Sequence, residues 1–140
     1  MYRPSGLVYG RHHTIAMTIA IVTLAILALV VAGLFDRLRW RKKSREELLA
    51  LITGGDWQRW KPAIKELGRR GDAIEQYAVW PLNGLTADSK MIREAARVTL
   101  VDLYPEIGIK LKACAYRSVD DVETCRQKLA SMLMQKAAGL

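Results

Sequence analysis

From Thr14 to Phe35 the chain carries no charged side chain, 22 consecutive residues reading TIAMTIAIVTLAILALVVAGLF. At 1.5 Å per residue such a run makes a helix about 33 Å long, close to the roughly 30 Å hydrocarbon core of a bilayer. The pattern predicts a transmembrane helix over 14–35. A cleavable signal peptide is the competing reading, because Val30, Val31 and Ala32 form a small-residue site before Gly33. The apolar region of a signal peptide is commonly about 7 to 15 residues, shorter than this run. The β-branched residues of the run are mediocre helix formers in water. In lipid that matters little, since every backbone N–H and C=O must be satisfied within the helix.

Beyond residue 44 the apolar positions recur at three and four, and runs of alternating β-branched residues bounded by turn signals are missing, so a sheet is not expected. Ser44-Arg-Glu-Glu47 reads as a capping box that starts a helix at Arg45. Gly54-Gly55 ends it, and Asp56 can cap the next helix, whose apolar face runs Trp57, Trp60, Ile64, Leu67. Gly68 to Gly71 closes that helix. Asp72 with Glu75, and Ser118 with Asp121, offer further caps. Helical hairpins follow: 45–53 with 56–69, 73–86 with 89–103, and a shorter 106–116 with 119–137.

The hairpins are related in sequence. Displaced by 33 residues, Leu49 falls on Leu82, Ile52 on Leu85, Ala63 on Ala96, Leu67 on Leu100, Asp88 on Asp121, Arg93 on Arg126 and Leu100 on Leu133. One hairpin cannot bury its apolar face, whereas stacked hairpins can. The middle unit, WPLNGLTADSKMIREAARVTL (Trp80 to Leu100), resembles a HEAT repeat, with Pro81 and Leu82 on the first helix, Asp88 in the turn, and Ile92-Arg93 and Ala95-Ala96 on the second. In HEAT-like proteins the turn Asp and the helix Arg commonly bond neighbouring units, and the small Ala lets paired helices approach. The resemblance implies such a ladder at Asp88 and Arg93, and again at Asp121 and Arg126. The first unit departs, with Gly55 and Trp60 at those places. The 33-residue offset is also shorter than the roughly 40 to 47 of typical HEAT units. An irregular helical bundle is the alternative. The expected fold is all-α: an N-terminal tail (1–13), a transmembrane helix (14–35), a basic juxtamembrane segment (36–44), and a HEAT-like domain (45–140) forming a short right-handed α-solenoid of about three helical hairpins.

Charge sets orientation more than it suggests a ligand. The formal net charge is +8, yet residues 36–45 alone carry +5 and residues 46–140 only +1. The cations are Arg37, Arg39, Arg41, Lys42, Lys43 and Arg45, against Arg3 and Arg11 before the span. Such a bias places the carboxyl end in the cytoplasm and the amino end outside a cell (inner) membrane. The same cluster is attracted to anionic headgroups. Without a basic face readable in the domain, nucleic acid is not an expected partner. Trp40 and Tyr9 fit membrane-interface aromatics. Ala16 and Ala20, then Ala25, Ala28 and Ala32, form small-residue stripes of the kind that let helices pack closely in a membrane.

Chemistry is sparse. No histidine follows His13, so no Ser-His-Asp or Cys-His arrangement can be assembled within the domain. Cys114 and Cys125 stand eleven apart without further Cys or His, which does not support zinc. In the cytoplasm they would be reduced and are expected to be buried apolar residues. His12 and His13 are read as interfacial, a ligand role being the alternative. No metal, cofactor or small-molecule substrate is evident, and an enzyme is not expected. Some HEAT-like proteins act as bilin lyases, and on that resemblance Cys114 and Cys125 are the candidate nucleophiles. The sequence points to a single-pass scaffold, an accessory subunit packing beside integral membrane protein subunits and covering a cytoplasmic-side surface; a tethered adaptor for transient partners or anionic lipid is the alternative.

Overall fold

The computed structural model describes the backbone of residues 9–137 and side chains from 14 to 134, so the tail at 1–8 and the last three residues lie outside the described region. Among the described residues there are helices and turns and no strand. The chain divides between Lys42 and Lys43 into two units.

The first unit is one helix, α1 (Tyr9–Arg41), 33 residues or about 50 Å long. It starts before the apolar run and continues through Asp36 to Arg41, so most of the basic juxtamembrane segment (36–44) is helical. Asp36, Arg37, Leu38 and Arg39 bring no helix breaker, and Trp40 Nε1 donates to Asp36 Oδ1 at 3.2 Å across one turn. Lys42, Lys43 and Ser44 connect α1 to α2.

The second unit contains α2 (Arg45–Thr53), α3 (Trp60–Arg69), α4 (Val79–Gly84), α5 (Lys90–Leu103), α6 (Pro105–Ala113) and α7 (Val122–Ala137). The helix α2 packs on α3, α4 on α5, α5 on α6, and α6 on α7. Its start is the capping box the sequence predicts: Ser44 Oγ accepts from Glu47 N–H at 3.1 Å, and Glu47 Oε2 accepts from Ser44 N–H at 2.7 Å. Leu48, Ile52, Ala63, Ile64, Leu67, Leu85, Ala96 and Leu100 are wholly buried and form the core. Gly84 is the tightest approach. A Cβ there would lie 2.7 Å from the Trp60 ring and 2.9 Å from Ala96 Cβ, so only glycine lets α4 meet both neighbours.

Four sequence expectations need correction. Asp56 does not cap α3; a 3₁₀ turn at Trp57–Arg59 precedes it, and the Asp56 carboxylate pairs with Arg59 at 3.2 Å. Asp72 caps nothing either, because Arg45 and Tyr77 occupy its carboxylate. The helix expected over 73–86 is broken into a 3₁₀ turn (Ile74–Tyr77) and α4. Pro81 is the cause: it has no N–H to give Tyr77, and it is accommodated in the first turn of α4, where no such bond is required. Finally, the box at Ser118 is displaced by three residues. Asp121 Oδ1 accepts from Thr124 N–H at 2.9 Å to cap α7, while Ser118 turns inward and donates to Glu94.

Two helices end in Schellman turns. After α3 the Asp72 N–H reaches Leu67 O and Gly71 N–H reaches Gly68 O, with Gly71 at φ +98°. After α6 the same bonds run from Tyr116 to Leu111 and from Ala115 to Lys112, but the left-handed position is Ala115, φ +52°. A side chain there is strained. Ala115→Gly is expected to raise stability by up to about 1 kcal/mol, seen as a higher melting temperature of the full chain in mild detergent; a lower one would mean that this turn is not strained.

Candidate anchoring and interaction surfaces

Along α1 every described side chain from Thr14 to Arg39 is exposed, including Leu29 at 74% and Phe35 at 69%. Water is an unsuitable solvent for such a surface, and lipid a suitable one. The hydroxyls within it are satisfied locally: Thr18 Oγ1 donates to Thr14 O at 2.7 Å and Thr23 Oγ1 to Ile19 O at 2.8 Å. In length and composition α1 fits a membrane anchor, and a signal sequence passes the same test. Ala25, Ala28 and Ala32 share one face, whereas Ala16 and Ala20 lie on a different one about 130° round the helix, so these alanines make two separate stripes. Arg37 and Arg39 are exposed on the same helix, and Lys42 just beyond it is exposed too. Tyr9 belongs to the helix, but its side chain and those of His12 and His13 lie outside the described residues.

In the second unit Lys43 and Arg45, which the sequence assigns to headgroups, also hold the domain. Arg70 Nη2 donates to Lys43 O at 2.8 Å. Arg45 places Nε and Nη2 each 3.1 Å from Asp72 Oδ2, the same oxygen that accepts the Tyr77 hydroxyl at 2.6 Å. These bonds depress the Asp72 carboxyl, Tyr77 first and Arg45 second, and raise the Arg45 guanidinium. Below them, buried Glu66 accepts from Arg69 at 2.6 Å and Arg70 at 2.9 Å.

Of the ladder residues, Arg93 is the buried one, 5% exposed. Its guanidinium donates to four backbone carbonyls: Ala87 at 2.7 Å, Asp88 at 2.8 Å, Asp120 at 2.9 Å and Ser118 at 3.1 Å. It thereby joins the α4–α5 turn to the α6–α7 connection. Asp88 contributes its carbonyl to this site, Asp121 caps its own helix, and Arg126 lies 3.6 Å from Glu123 on the surface. Sequence reasoning missed a related set of ties. The Trp60 indole donates to Ile52 O at 3.1 Å, the Tyr104 hydroxyl to Ile74 O at 2.6 Å, and the Tyr116 hydroxyl to Leu85 O at 2.7 Å. Aromatic residues on apolar faces are a visible signal; a carbonyl partner 8, 30 or 31 positions away is not.

Both cysteines are free, Cys125 wholly buried and Cys114 half-buried. The Cys125 thiol faces Arg117 O at 3.5 Å. Among the described residues no group of three or more His, Cys, Asp or Glu is placed to hold a metal ion. Trp57 and Trp80 are the two tryptophans of this unit left partly exposed.

Two carboxyls give the domain an acid limit. Bonds from Arg69 bring Glu66 down to about 2, and bonds from Arg97 and Ser118 do the same for Glu94. A folded-state pKa below the unfolded one means that the unfolded chain binds more protons in between. The stabilisation is complete above about pH 4.5 and declines as pH falls toward 2. Urea midpoints are therefore expected to drop between those values, and Glu66→Gln to flatten the drop; an unchanged slope in that variant would remove Glu66 as a cause.

No protein-family model, no curated protein and no solved structure matches the chain.

Proposed function

We propose that this chain is a single-pass membrane-anchored interaction protein, an accessory subunit whose helical domain covers a cytoplasmic-side surface of a larger membrane complex. The observation that carries the reading is α1, whose described apolar side chains from Ile15 to Leu38 are all exposed. The cations at its carboxyl end support the orientation, with the domain on the cytoplasmic side.

A HEAT-like stacking of hairpins is part of the proposal, supported by the first two units. Ile52 and Leu85, Trp60 and Arg93, Ala63 and Ala96, and Leu67 and Leu100 are 33 apart and all buried. The third unit fits less well, since Leu133 is 64% exposed where Leu100 is buried. A short solenoid with an open end would present Trp57 and Trp80 as anchors for a partner, tryptophan being enriched at interaction hot spots. Purification in mild detergent followed by native mass spectrometry is expected to show the chain with a stoichiometric membrane partner. Recovery as a monomer alone would count against the subunit reading.

A further inference from the structure

The residues that leave the anchor are strapped to the domain, and one of the straps has two competing uses. Arg45 holds Asp72, and Arg70 holds the Lys43 carbonyl, so Lys43, Ser44 and Arg45 are tied to the turn after α3. Arg45 is also the last member of the basic run that begins at Arg37, four residues beyond the end of α1. Its side chain is 54% exposed against 17% for Asp72, so a second anion can reach the guanidinium without entering the fold. Asp72 would not be stranded by the loss. Its Oδ2 keeps the Tyr77 hydroxyl at 2.6 Å.

The two uses are close in strength. An exposed ion pair shifts an equilibrium by at most about fivefold, and attraction of one arginine to an anionic membrane surface is of the same order. Neither wins outright, and the composition of the membrane decides.

We propose that Arg45 is a lipid-responsive latch: anionic headgroup phosphates draw it from Asp72 and loosen the strap at the first turn of α2, whereas on a zwitterionic surface the strap stays closed. This rests on α1 being a retained anchor. A guanidinium binds a phosphate through the same paired N–H donors that it offers a carboxylate. Once Arg45 has moved, the start of α2 keeps the Arg70 bond to Lys43, the Ser44 capping box and the buried Leu48, whose amide donates to Ser44 O at 3.1 Å.

The test is hydrogen exchange on the full chain in nanodiscs, made either from phosphatidylcholine alone or from phosphatidylcholine with phosphatidylglycerol. Segments covering residues 44–50 are expected to exchange a few-fold faster in the anionic bilayer, with those of α5 unchanged. Asp72→Asn should exchange fast at 44–50 in both bilayers. Adding inorganic phosphate to the phosphatidylcholine discs is expected to change nothing, which separates a headgroup from a free anion. Equal or greater protection at 44–50 in the anionic discs overturns the latch, as does an undiminished lipid response in Asp72→Asn; a phosphate effect equal to that of the lipid overturns its assignment to headgroups. Failure of the anchor reading looks different: the chain would not enter the discs at all.

Discussion

Arg93→Ala is expected to lower the stability of the helical domain by about 3 kcal/mol. The reason is what the substitution leaves behind. Four carbonyls, those of Ala87, Asp88, Ser118 and Asp120, converge on one guanidinium that is almost completely buried. Each bond to a charged donor contributes about 1.5 to 3 kcal/mol when removed singly, and the four are not additive because water can enter part of the vacated space. Lysine should recover less than half of the loss, since one ammonium cannot face four carbonyls on two separate segments. Domains of this size have about 5 to 15 kcal/mol in total, so the change is a large fraction of the whole. Urea unfolding of the full chain in mild detergent, with hydrogen exchange over 115–121, checks it. A midpoint shift equivalent to under about 0.5 kcal/mol would mean that these carbonyls are satisfied without Arg93.

Trp60→Ala should cost more, about 3 to 5 kcal/mol, because it removes the largest core side chain and empties the space against Gly84. Trp60→Phe separates the contributions. It keeps most of the apolar volume and forfeits the indole bond to Ile52 O, so a loss of about 1 to 2 kcal/mol is expected. If Phe proves as damaging as Ala, the hydrogen bond and not the packing dominates. Thermal unfolding followed by circular dichroism distinguishes these outcomes, and the α1 contribution cancels between variants. Should Trp60→Ala leave α2 and α3 as stable as before, the shared core of those helices would be wrong.

How much of this was legible in the residues depends on whether a local signal had a competitor, near or distant in sequence. The Ser44 to Glu47 box formed as read, because its four residues supply both donors and both acceptors among themselves. The same grammar at Asp56, Asp72 and Ser118 failed. In each case the side chain found another partner: Arg59 at 3.2 Å for the first, Arg45 and Tyr77 for the second, Glu94 for the third. Glu94 lies 24 residues from Ser118 and Arg45 lies 27 from Asp72, separations that no capping rule considers. The interruption of 73–86 ahead of Pro81, by contrast, was readable from the ring alone. The apolar run of α1 was legible in full, but its extension to Arg41 depended on the absence of a breaker and not on any positive signal. Of the candidate surface, the cations could be read from composition. That Arg45 and Lys43 hold the fold could not, since their partners Asp72 and Arg70 each lie 27 residues away in sequence.

The central claim is that Thr14 to Phe35 is a retained anchor and not a removed leader. Membranes from cells making the chain should be washed with alkaline carbonate, and the protein that stays behind weighed intact. The expected result is a membrane-retained chain that still contains residues 14–35, with the full 15.8 kDa of the sequence. A carbonate-released chain whose mass begins after Ala32 would contradict it.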